Sequence, residues 1–133
     1  MNKTETIKIC GKEVKMLYCA AAETGYESMS GKSSSVFSPQ VVEYDDEGRP
    51  QKIEQPTASL DDYLKLALSA IIAAYGRDGG EPPLGADDIL YNASPTEIKE
   101  LIATTARLRS EWYGLPEVVN KEPLAENAEG EKN

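Results

Sequence analysis

A chain of 133 residues suits one domain with a modest core. Its net charge of −9, with no histidine, argues against the basic patches that nucleic acid and anionic membrane surfaces require. No run approaches the ~18 continuous apolar residues of a spanning helix, and the first residues, Met1 to Lys8, lack the apolar core of a signal peptide. A cytoplasmic protein, kept soluble by its acidity, is therefore expected.

Thr6 to Leu17 reads as a β-hairpin: Ile7 and Ile9 alternate with polar neighbours, Gly11-Lys12 offers a turn, and Val14 and Met16 alternate on the return. Tyr18 to Gly25 follows as a short Ala-rich helix, with Gly25 as its expected stop. Tyr26 to Ala58 is expected to be a variable, mobile region. It contains a helical turn around Ser34 to Phe37, and a segment at 39–58 that fits either a polar hairpin or, preferably, a loop.

The chain is organised around Ser59 to Tyr75. At about 100° per residue, Leu60, Tyr63, Leu64, Ala67, Leu68, Ile71, Ile72, Ala74 and Tyr75 fill roughly half the circumference. Leu66, Ala70 and Ala73 take most of the rest, leaving a narrow polar seam of Asp62, Lys65 and Ser69. Such a helix should be wrapped by other elements. Ser59 marks its start and Gly76 its stop.

Ala86 to Tyr91 suggests one or two helical turns. A second strong helix opens on Ser94-Pro95-Thr96-Glu97, which combines a cap, proline at the first helical position and a capping box. Ile98, Leu101, Ile102, Thr105, Leu108 and Trp112 share one face, with Tyr113 at its margin, and that stripe should pack on the central helix. Gly114 and Pro116 end it, and residues 117–133 read as a disordered acidic tail following a single domain of residues 1–116. The fold class is α+β, mainly helical: a small N-terminal hairpin against a short helix and two longer amphipathic ones.

Chemistry finds little purchase. Gly25 to Ser33 approaches a P-loop, but five residues separate Gly25 from Gly31 where four are required, and a Gly/Ser turn is the better reading. The pairs Asp45-Asp46, Asp61-Asp62 and Asp87-Asp88 lie in no calcium-type loop, and two of them open helices, where carboxylates are expected for capping. Without histidine no serine or cysteine has an obvious base. Cys10, in a predicted strand, and Cys19, in a predicted helix, lack activating neighbours. No catalytic residue, metal or cofactor is expected. Trp112-Tyr113-Gly114-Leu115 would suit a partner anchor, and the candidate partner-binding residues are Leu101, Leu108, Trp112, Tyr113 and Leu115. For Trp112, which continues the apolar stripe, closing the core is the plainer reading.

The order of these blocks carries a resemblance. The hairpin leads into Met16-Leu-Tyr-Cys-Ala-Ala-Ala-Glu-Thr-Gly25; a variable loop, the Leu60–Tyr75 helix, the Ser94-Pro-Thr-Glu97 opening and a Trp112-Tyr113 close follow. Over residues 6 to 116 the chain resembles the tail assembly chaperones of long-tailed bacteriophages, especially those of prophage-like regions in gut bacteria. The resemblance implies a non-enzymatic protein of the bacterial host's cytoplasm. It would bind the helix-rich tape measure protein and leave before the virion is complete, with the tail tube protein or a second copy as further partners. It also implies a minor frameshifted product, since Glu131-Lys132-Asn133 allows the slippery codons GAA-AAA-AAC. A small structural or head–tail connector protein retained in the virion is the alternative.

Overall fold

A computed structural model describes residues 4–38, 40–54 and 56–114. The elements in order are β1 (Thr4–Ile9), β2 (Lys12–Leu17), α1 (Ala20–Ser30), a 3₁₀ helix (Ser34–Phe37), β3 (Gln40–Tyr44), β4 (Pro50–Glu54), α2 (Leu60–Arg77), α3 (Ala86–Asn92) and α4 (Pro95–Tyr113). The fold is α+β and mainly helical. The tail from 117, with Leu115 and Pro116, lies outside the described residues.

β1 and β2 pair antiparallel with Ile9 opposite Lys12, so the turn is Cys10-Gly11, one residue earlier than the sequence suggests. Both turn residues have positive φ, 53° at Cys10 and 77° at Gly11, as a two-residue hairpin turn of this hand requires. The hairpin buries Ile7, Ile9, Val14 and Met16 on one face.

That face lies against α2, which is covered on three sides by the hairpin, α1 and α4. The seam of Asp62 and Ser69 is buried rather than solvated, because α1 supplies its partners. Ser69 Oγ donates to the Ala22 carbonyl at 2.7 Å, and Tyr26 Oη donates to Asp62 at 3.1 Å. α2 also continues past Gly76 to Arg77, with Asp78 as its cap.

α1 likewise runs through Gly25 to Ser30, and Gly31 in the left-handed region closes it. Glycine stands inside this helix for a packing reason. A Cβ at residue 25 would lie 2.2 Å from Ser69 Oγ, so the two helices touch where the side chain is missing. Segment 39–58, where the sequence favours a loop, instead carries a second antiparallel hairpin, β3–β4, with Gln40 opposite Glu54. Its turn is held by Asp45, whose carboxylate accepts from the N–H groups of Glu47 and Arg49, each at 2.9 Å.

α4 starts as its sequence demands: Ser94 Oγ accepts from Glu97 N–H, and Glu97 Oε1 accepts from Ser94 N–H at 2.9 Å. The second Glu97 oxygen accepts from Cys10 N–H at 3.0 Å. One carboxylate thus caps α4 and fastens the tip of the first hairpin to it. Lys12 Nζ adds a bond to the Pro83 carbonyl at 3.0 Å.

Candidate functional site

Two polar centres and one apolar trough stand out. The first centre is Glu23 of α1. Its Oε1 accepts from Ser34 Oγ at 2.8 Å and Tyr113 Oη at 2.6 Å, and its Oε2 accepts from Arg109 Nε at 3.1 Å and from the Tyr18 hydroxyl. Arg109 also donates to the Ser34 carbonyl at 3.3 Å and lies 4.6 Å from the Tyr113 ring centre. Burial pushes the Glu23 carboxyl up, but the bonds from Tyr113, Tyr18, Ser34 and Arg109 outweigh it and hold the group below its usual range. Burial and the adjoining Glu23 push the Tyr18 hydroxyl up, so it remains a donor. A carboxylate with four donors already seated is a poor general base. This centre joins β2's end, α1, the 3₁₀ helix and α4. Beside it an open depression of about 330 Å³ is lined by Ser33, Ser34, Ser35, Ser38, Arg109 and Tyr113.

The second centre is Asp62, at the third position of α2. It accepts from Ser59 N–H at 2.9 Å, Tyr26 Oη at 3.1 Å and Lys32 Nζ at 3.1 Å. The Ser59 backbone bond, with help from Lys32 and Tyr26 and against burial, brings its carboxyl down to about 2. Asp88 performs the same capping task for α3, accepting from Gly85 N–H at 2.9 Å. One member of each acidic pair, Asp45, Asp62 and Asp88, therefore organises the backbone.

The candidate partner-binding residues separate. Leu101 and Leu108 are core residues, 1% and 5% exposed, and cannot meet a partner while α4 stays packed. Trp112 and Tyr113 are surface residues, 39% and 46% exposed. Trp112 leans on Tyr18 with ring centres 5.7 Å apart and on Tyr113 at 5.0 Å, so it lids the Glu23 centre without closing the core. Leu115 lies outside the described residues. Cys10 sits in the hairpin turn rather than a strand, and its thiol lies 3.6 Å from the Asp88 carbonyl.

The apolar trough runs along the uncovered side of α2, on both sides of Ile72. One arm, about 420 Å³, has Leu17, Cys19 and Ala21 on one wall and Ala73 and Gly76 on the other. The other arm, about 550 Å³, lies between Met29 and the Pro82–Ala86 segment, over Leu68 and Ile71. Ile72 belongs to both arms and is 52% exposed, although the helical pattern groups it with the covered half of α2. Small residues at Ala21, Ala73, Gly76 and Ala86 create the depth. Among the described residues no helix is long and apolar enough to cross a membrane, so this surface is not part of a spanning helix. Compared with family models, with curated proteins and with solved structures, the chain matches none.

Proposed function

We propose that the chain is a non-enzymatic tail assembly chaperone of a long-tailed phage or prophage. It acts in the cytoplasm of the bacterial host, where it binds the tape measure protein and keeps it soluble while tail tube assembles around it. The reading draws on the ordered sequence blocks from Met16 to Tyr113 and on one structural observation: an apolar trough about Ile72 on an otherwise acidic protein. A long helical protein awaiting assembly exposes apolar faces, and such a trough accepts a helix by its i, i+3/i+4, i+7 side chains.

The test is co-expression with the tape measure protein of the same phage. That protein's soluble yield should rise, and the two should co-elute. Purified virions analysed by mass spectrometry should lack this chain; its presence there at stoichiometric level favours the connector alternative and overturns the chaperone reading.

A further inference from the structure

We infer that the trough about Ile72 is the docking site for one amphipathic helix of another protein whose apolar stripe is flanked by lysine or arginine. This rests on the chaperone reading for the partner's biological identity, but the surface is argued from geometry and charge alone. Leu68 to Arg77 spans about 14 Å at 1.5 Å per residue, which matches two to three turns of a partner helix. Exposed Ile72 stands between the two arms, so it enters the partner's stripe as a knob, and side chains on either side of that stripe fill the arms.

Charge selects the occupant. Glu81 and Asp88 line the wider arm. At the other end Arg77 already lies 3.5 Å from Asp78 and donates to Thr4 Oγ1 at 3.2 Å. The trough therefore presents acidic groups at one end and a committed cation at the other. A helix with basic flanks gains chiefly at Glu81, since Asp88 Oδ2 already accepts from Gly85 N–H, and is drawn in by the net charge of −9. A second copy carries the same net charge of −9, which disfavours self-association.

The probe is a pair of dye-labelled helical peptides of about 18 residues with leucine at i, i+3, i+4, i+7 spacing, one lysine-flanked and one glutamate-flanked. Each is titrated into the full chain by fluorescence anisotropy. The lysine peptide should bind and the glutamate peptide should bind at least about tenfold more weakly, with the preference shrinking as salt rises. Ile72→Lys and Ile72→Ala should each weaken the lysine peptide, the former by about tenfold or more. Glu81→Lys should weaken it by about threefold to tenfold and flatten the salt dependence. Ile72 is half exposed, so circular dichroism and thermal melting should match the parent, and Ile72→Ala gives the apolar contribution without a charge change. Binding that ignores the Ile72 substitutions overturns the inference. So does a concentration-dependent dimer, seen by light scattering, that Ile72→Lys dissolves. If the tape measure protein co-elutes with the parent and equally with Ile72→Lys, the site is wrong and the function stands. If peptides bind at Ile72 but the tape measure protein is ignored, the site stands and the function falls.

Discussion

Glu23 and Arg109 lie 86 residues apart in the chain, yet their carboxylate and guanidinium meet at 3.1 Å with both side chains only about one-tenth exposed. A buried ion pair is weak evidence for net stability, but removing one partner strands the other. Arg109→Met should therefore cost about 3–5 kcal/mol in urea denaturation, and Glu23→Gln a comparable amount. The double variant Glu23→Gln with Arg109→Met should cost clearly less than the sum of the two singles. Additive losses would show that the two groups act independently.

Acid should act through Asp62 and Glu23 among other carboxylates, including Asp45 and Glu97, whose carboxyls all sit below their ordinary values in the folded chain. In the window between the folded and unfolded values the unfolded chain binds more protons, so stability rises with pH there. That contribution is complete above the ordinary carboxylate range and is lost as pH falls toward about 2, the folded value of Asp62. Urea midpoints measured from neutral pH downward should fall across this window. Asp62→Asn should be less stable at neutral pH and show a shallower acid slope; an unchanged slope would remove Asp62 from the explanation.

Gly25→Ala offers a prediction of sign. In an open helix interior the change should stabilise by about 1 kcal/mol on propensity alone. Here the new Cβ meets Ser69 Oγ at 2.2 Å, so the variant should instead lose about 1–3 kcal/mol. Adding Ser69→Ala should recover part of that loss, because the remaining Ser69 Cβ lies 3.4 Å away. A stabilised Gly25→Ala variant would contradict the α1–α2 packing described above.

Much of the fold was legible in local pattern. The Ser59 and Ser94 caps, the alternation of Ile7, Ile9, Val14 and Met16, and the α4 stripe all depend on neighbours a few residues away. What escaped depends on distant partners. Gly25 reads as a helix stop because sequence shows its missing side chain but not Ser69 pressed against it. Arg109 sits on no apolar stripe, and only α1 brings Glu23 to it. Ile72 groups with covered residues in the helical pattern because a helix apolar nearly all round does not say which side its neighbours leave open. Leu101 and Leu108 share the α4 stripe with Trp112, and only the folded chain separates their core positions from exposed Trp112 and Tyr113.

Cys10 occupies a left-handed turn position at φ 53°, where asparagine is better suited than cysteine. Cys10→Asn should leave stability unchanged or raise it by up to about 1 kcal/mol. A loss of more than that, measured by thermal melting, would mean that the thiol's place near the Asp88 carbonyl matters more than backbone conformation.

We propose that this chain works by holding a partner helix against the Ile72 side of α2. The most direct measurement is the soluble yield of the tape measure protein co-expressed with the parent chain, with Ile72→Lys and with Tyr91→Ala. Tyr91 is 82% exposed and does not line the trough, so its replacement serves as the comparison. The parent and Tyr91→Ala should keep the partner soluble and co-elute with it, while Ile72→Lys should fold but do neither. A partner that stays insoluble beside the parent chain, or one rescued equally by all three, would contradict the proposal.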